Sequence, residues 1–237
     1  IPVIVQVGHN SSWEARELAA HAQEAGADAI SSTSPSYFKP TSVQLLVDAM
    51  ATLAEGAPAL PFYYYHIPAL TGVPLDMVDF LETGARRIPT LTGIKFSDFF
   101  VPDYQACLEL DNRRFDILWG CDEMLLSGLA VGAEGAVGST YNVAAPLYLE
   151  IMKRFREGDV DGARRLMYRS VQMVRLLNQY AKVTTGLKEV VMPLHGFDLG
   201  RSRLPVQTMS DEDAAQLRHA WVEQGFEHMV HSNAPSC

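Results

Sequence analysis

The chain has 237 residues, 48% hydrophobic and 20% charged, the make-up of a folded protein with a sizeable core, which excludes a disordered tail, a collagen and a small disulfide scaffold. Nineteen Lys and Arg against 28 Asp and Glu leave a net charge of −9, which repels phosphate backbones and argues against nucleic acid as a partner. Cys107, Cys121 and Cys237 are widely spaced and form no C-x-x-C pair, so neither a disulfide framework nor a zinc site is implied, and a reducing, cytoplasmic compartment fits.

No run reaches the roughly 18 apolar residues of a membrane span. No basic stretch leads an apolar one at the N-terminus, so no signal peptide is expected. The chain opens on Ile1 and is already strand-like from Val3, which reads as a processed or incomplete protein.

Val3–Val7 is β-branched and apolar, a strand. Ser11-Ser12-Trp13-Glu14 reads as a capping box that opens a helix through Ala25, stopped by Gly26. Strands follow at Asp28–Ser32, Leu60–Tyr65, Leu91–Lys95, Asp116–Trp119 and, briefly, Gly135–Gly138. Helices alternate with them at Ser42–Leu53, Leu75–Thr83, Asp103–Leu110 and Glu123–Val131. Six strands alternating with helices imply βα units and a parallel sheet. After Ser139 the pattern is helical only: Ala145–Glu157, Val160–Val183, Thr185–Met192 and Asp211–Gln224, with a loop at Gly196–Gln207.

A doubly wound dinucleotide fold would carry G-x-G-x-x-G after its first strand. Here that turn is Gly8-His9-Asn10-Ser11. The fold class expected is therefore α/β, a (β/α)8 TIM barrel with six of its eight strands present and a C-terminal helical segment. Two further units would need roughly 60 residues. Residues 1–142 read as barrel units 3–8. Residues 143–237 read as the last barrel helix and a helical extension of the same domain.

In a barrel, chemistry sits at the C-terminal ends of the strands. Lys95 ends one of them, in Leu-Thr-Gly-Ile-Lys-Phe-Ser. In an enclosed apolar site its amine loses hydration and becomes a nucleophile toward a carbonyl. Taken alone, a strand-end lysine turned to solvent is the commoner case. Tyr65 closes Phe62-Tyr63-Tyr64-Tyr65, and alternation puts Tyr63 and Tyr65 on one face. A phenol there can pass a proton; a core aromatic is the plainer alternative. Asp122 and Glu123 after Gly120, and Ser139 after Gly138, suit a polyhydroxylated ligand. Asp122 as a helix cap and Glu123 as a first-turn acid remain open. Gly132–Gly138 resembles a phosphate cradle but reads better as tight packing. His66 has no partner at ligand spacing, so no metal is expected.

Read together, four stretches are specific. They are Tyr-Tyr-Tyr-His-Ile-Pro-Ala-Leu-Thr-Gly-Val (63–73), Gly-Ile-Lys-Phe-Ser-Asp (93–98), Gly-Cys-Asp-Glu (120–123) and Gly-Ala-Val-Gly-Ser-Thr-Tyr-Asn (135–142). In this order and spacing they resemble the N-acetylneuraminate lyase branch of the pyruvate-dependent class I aldolases, the family that also holds dihydrodipicolinate synthase. The resemblance implies a lyase that cleaves N-acetylneuraminate to N-acetylmannosamine and pyruvate with no cofactor. It implies Lys95 as the Schiff-base lysine and Tyr65 as the proton-transfer tyrosine. Ser97, Gly120, Asp122, Glu123 and Ser139 match substrate-binding positions. Tyr37, in Ser-Pro-Ser-Tyr-Phe-Lys-Pro, matches an aromatic that reaches a neighbouring subunit of a homotetramer.

The family's Gly-Thr-Thr-Gly-Glu-type carboxylate-binding motif lies after its second strand and has no counterpart here. Dihydrodipicolinate synthases carry an Arg in the stretch that here reads Ala69-Leu70-Thr71-Gly72. Its absence fits a sugar acid better than a dicarboxylate. Two alternatives stay open: another pyruvate-dependent aldolase or dehydratase with the same lysine, and a catalytically incompetent barrel fragment.

Overall fold

Five parallel strands build one sheet in chain order: β1 (Ile4–Gln6), β2 (Ala29–Ser32), β3 (Phe62–His66), β4 (Leu91–Phe96) and β5 (Asp116–Trp119). The computed structural model describes residues 1–229, so Cys237 lies outside the described residues. These divide into two units, Ile1–Cys121 with Val131–Ala136, and Asp122–Ala130 with Val137 onward.

The first unit holds the sheet and its helices α1 (Ser12–Glu24), α2 (Val43–Ala54), a single turn α3 (Pro68–Thr71), α4 (Met77–Arg87) and α5 (Val101–Glu109). Two of the starts follow from side chains legible in sequence. Ser11 Oγ accepts the Glu14 N–H and Ser42 Oγ accepts the Leu45 N–H, each taking one of the four orphan donors of a helix N-terminus. Gly72 ends α3 in the left-handed region, at φ 65°, which costs glycine nothing.

Strand residues alternate between two faces. On the helix side, Ile30, Phe62, Tyr64, Ile94, Phe96 and Trp119 are wholly buried. The Tyr64 ring lies 4.6 Å from Phe80 of α4, and the Tyr104 ring of α5 lies 4.9 Å from Trp119 and 5.6 Å from Phe96. Burying each such side chain contributes about 1.5–3 kcal/mol. On the other face, the register aligns Gln6, Ser31, Tyr63, Gly93 and Asp116 in one layer, and Tyr65, Lys95 and Leu118 in the next.

The register shifts once, between β3 and β4. Phe62 pairs with Leu91, but Tyr63 pairs with Gly93, so Thr92 is the extra residue of a bulge. Leu91 thereby joins the helix side, where its side chain packs against Gly84 of α4. Gly93 must be glycine, because a Cβ there would run into the Asp116 carbonyl of the adjacent strand.

The sixth strand expected at Gly135–Gly138 is reduced to one bridge, Ala136 with Trp119. Trp119 N–H donates to the Gly135 carbonyl at 3.0 Å. Flanking glycines supply no side chain to pack, which shortens the pairing. Arg113 donates to the Gly132 carbonyl at 2.7 Å and pairs with Glu134 at 3.6 Å. The glycine stretch is thus engaged in packing, as the sequence reading preferred.

The second unit is helical: α6 (Leu125–Ala130), α7 (Tyr141–Arg156), α8 (Val160–Tyr180), α9 (Val183–Gly186), a π turn at Leu187–Val191, α10 (Met192–Leu194) and α11 (Asp211–Glu223). The helix expected at Thr185–Met192 lies within an unbroken helical run, Val183–Leu194, whose middle is a π turn. Pro146 inside α7 removes a backbone donor, and Ala144 departs from helical dihedrals at φ −131°. Arg201 donates to Glu189 (3.3 Å), to the Met209 carbonyl (2.8 Å) and to Asp211 (2.6 Å). These bonds tie the Gly196–Gln207 loop to the start of α11. No described helix is long and apolar enough to cross a membrane.

Candidate active site

The first unit brings two of the predicted residues into direct contact. Lys95 and Tyr65 are register partners on β4 and β3. Lys95 Nζ stands 3.9 Å from the centroid of the Tyr65 ring. The ring's negative face attracts the ammonium, and two neighbouring strands fix both backbones. Both side chains are half-buried, so the amine is both held and reachable. Beside them in the layer below, the Tyr63 hydroxyl donates to Asp116 at 2.8 Å. Burial and that carboxylate both push the Tyr63 phenol up and keep it protonated.

Ser97 and Gly120 form the second pair. Ser97 N–H donates to the His66 carbonyl and Gly120 N–H to the Phe96 carbonyl, both at 2.8 Å, so the ladder continues past the ends of β4 and β5. Ser97 Oγ donates to the Gly120 carbonyl at 3.1 Å. A Cβ at position 120 would collide with that hydroxyl. Glycine here is thus a requirement of close approach.

His66 lies on the helix side and is 2% exposed. Burial lowers its pKa to about 4, against the opposing pull of Asp98, whose carboxylate is 3.7 Å from Nε2. The imidazole is neutral at pH 7 and its Nδ1 has no partner among the described residues. No group of three His, Cys, Asp or Glu among the described residues is disposed to hold a metal.

In the second unit, Asp122 opens a 3-10 turn (Asp122–Met124) and is 7% exposed. Its carboxylate accepts two hydrogen bonds from Thr140, from N–H at 2.7 Å and from Oγ1 at 2.6 Å. A Cβ at Gly138 would overlap the same carboxylate. Asp122 thus grips the loop that carries Ser139. Glu123 and Ser139 are half-buried, and the Ser139 carbonyl accepts from the Asn142 amide at 2.9 Å.

Tyr37 stands apart on the loop after β2, 77% exposed. Asn10 holds that loop by accepting from the Ser36 and Tyr37 N–H groups at 2.9 and 3.2 Å. Sequence reasoning missed Thr140 as the partner of Asp122, and Asp116 as the partner of Tyr63. The second was within reach, since alternation already places Tyr63 beside Tyr65.

The Dihydrodipicolinate synthetase family matches over residues 1–224. N-acetylneuraminate lyase A of Xenopus laevis is 41% identical over 204 residues, covering 86% of this chain and 67% of that protein. N-acetylneuraminate lyase of Homo sapiens is 39% identical over 222 residues, covering 91% and 68%. Among solved structures, N-acetylneuraminate lyase of Proteus mirabilis superposes with a TM-score of 0.91 at 37% identity, covering 95% of this chain and 76% of that one. Dihydrodipicolinate synthase of Aquifex aeolicus gives 0.82 at 27%, covering 98% and 77%. The likeness bears out the expected barrel-type β/α architecture with its C-terminal helices.

Proposed function

The chain belongs to the dihydrodipicolinate synthetase family, and from that membership and the Lys95–Tyr65 contact we propose that it is a lyase acting on N-acetylneuraminate through a Schiff base on Lys95. The observation that carries this reading is the amine 3.9 Å over a phenol ring, on adjacent rigid strands. Such a pair suits covalent carbonyl chemistry, which needs a reachable amine and a proton carrier beside it.

The steps follow from that chemistry. The Lys95 amine adds to the C2 ketone of the open-chain sugar acid, and water leaves as the imine forms. The protonated imine is an electron sink. Tyr65 serves as the carrier for the C4 hydroxyl proton; the C4–O electron pair becomes the aldehyde C=O. The C3–C4 bond breaks and its pair flows through C3 and C2 to the nitrogen, leaving an enamine. Protonation at C3 and hydrolysis release pyruvate and restore the amine, with N-acetylmannosamine as the other product.

In the first unit we assign Ser97 and Gly120 to substrate binding. In the second we assign Asp122, Glu123 and Ser139 to the sugar-derived hydroxyls. Tyr37 is assigned to the contact with another subunit of a homotetramer, a role its exposure permits, and the protein to the cytoplasm. A dicarboxylate substrate is disfavoured, since 69–72 form the turn α3 and its glycine cap with no Arg.

Borohydride reduction in the presence of pyruvate, read by peptide mapping, tests the reading. A single adduct on Lys95, lost in Lys95→Ala, is the expected result, together with pyruvate release from N-acetylneuraminate. An adduct on any other lysine overturns the assignment. Pyruvate release from a short-chain substrate in preference to N-acetylneuraminate favours another aldolase of the same family.

A further inference from the structure

The second unit contains a chain of buried hydroxyls that no step above uses. From α7, Tyr148 OH lies 2.5 Å from Thr140 Oγ1. From α8, Ser170 Oγ lies 2.7 Å from Tyr148 OH. Thr140, Tyr148 and Ser170 are 1%, 2% and 0% exposed. The chain ends on the Asp122 carboxylate.

Its direction is fixed by counting protons. A carboxylate only accepts, so Thr140 commits its one hydroxyl proton to Asp122. Thr140 Oγ1 then accepts from Tyr148, and Tyr148 accepts from Ser170. Every proton points toward Asp122. Burial and the Asp122 and Glu123 charges push the Tyr148 phenol up, so it stays a donor. A run of hydrogen bonds polarised one way in a dry interior strengthens each member. The Tyr141 ring backs the phenol edge-on at 4.3 Å.

We propose that Tyr148 and Ser170 are positioning residues for substrate recognition: through Thr140 and Asp122 they hold the Gly138–Thr140 loop and the Asp122–Glu123 turn, and so set where Ser139 and Glu123 meet the hydroxylated half of the substrate. The inference rests on the functional reading above and goes beyond it, since neither residue touches substrate. Removing the Tyr148 hydroxyl leaves Thr140 Oγ1 with an unfilled acceptor and frees it to turn from Asp122. Removing the Ser170 hydroxyl acts one bond further away and costs less.

The test separates the two halves of the substrate. In Tyr148→Phe, KM for N-acetylneuraminate rises about tenfold, the loss of one buried hydrogen bond. The rate of borohydride trapping with pyruvate, which lacks the hydroxylated half, stays within twofold of wild type. Ser170→Ala shows the same split at about threefold. A merely structural role lowers trapping and cleavage together, and that result overturns the proposal, as does an unchanged KM. Hydrogen exchange at the Thr140 amide provides a readout free of catalysis. It accelerates in Tyr148→Phe more than at amides of α8 remote from Ser170, and no such local acceleration overturns the clamp. If wild type traps no pyruvate on Lys95, the functional reading fails, and the exchange measurement still decides the clamp.

Discussion

Tyr63, Tyr64 and Tyr65 are three copies of one side chain with three fates. Tyr64 points to the helices, is wholly buried against Phe80, and its hydroxyl has no partner among the described residues. Tyr63 faces the other way and donates a hydrogen bond to Asp116. Tyr65 faces the same way one layer on and carries Lys95 over its ring. The helix side of the sheet is built for packing, and polar groups there are idle or neutralised. The opposite side carries an amine over one phenol and a carboxylate bonded to another. Side-chain type does not decide between core and chemistry here; pleat parity does.

The contrast can be broken at each tyrosine. The largest effect is expected on the reactive side. Tyr65→Phe slows cleavage of N-acetylneuraminate by about 10²-fold or more, the usual worth of a positioned proton carrier, in steady-state assays of pyruvate release. The same change at Tyr64 leaves the rate unaltered.

Truncation inverts the ranking. Tyr64→Ala opens a cavity beneath Phe80 and costs about 3–5 kcal/mol in denaturant unfolding. Tyr65→Ala, from a half-buried position, costs clearly less. Equal losses at the two positions would remove the distinction between the faces.

The helix side also titrates. His66 has a folded pKa of about 4 against an ordinary value near 6.5. Between those values the unfolded chain binds a proton that the folded chain refuses, so stability rises with pH across the window. Acidification from pH 6.5 to 4 therefore removes up to about 3 kcal/mol. Melting temperatures measured over that range follow this slope, and His66→Gln flattens it.

The smallest effects separate Tyr63 from Tyr64. Tyr63→Phe loses a hydrogen bond to a carboxylate and costs about 1.5 kcal/mol. Tyr64→Phe deletes a hydroxyl without a partner among the described residues and is neutral or slightly stabilising. Chemical denaturation resolves the two.

Much of this is legible in the sequence. Ser11 and Ser42 announce their helices because capping is a local bond between near neighbours in sequence. Period-two alternation pairs Tyr63 with Tyr65 for the same reason. The sixth strand is shorter than its sequence implies, because its glycines mark the site of pairing without sustaining it. The polar chain of Asp122, Thr140, Tyr148 and Ser170 was not legible. Its members come from a turn, a loop end and two helices, and only tertiary packing brings them within 2.7 Å of one another. Only Asp122 stands out in the sequence, since a carboxylate after a strand end is a local signal.

The bulge at Thr92 has a consequence for which length changes the gene tolerates. Counting back from Lys95 by twos puts Leu91 on the amine's side of the sheet, yet it pairs with Phe62 on the other. The bulge absorbs the extra residue, so everything downstream in β4 keeps phase with β3. Deleting Thr92 makes Leu91 and Gly93 successive residues of a regular strand and leaves Lys95 beside Tyr65, whereas deleting Ile94, past the bulge, turns Lys95 toward the helices. In a deletion scan, loss of Thr92 is therefore expected to be tolerated, while loss of Ile94 is not.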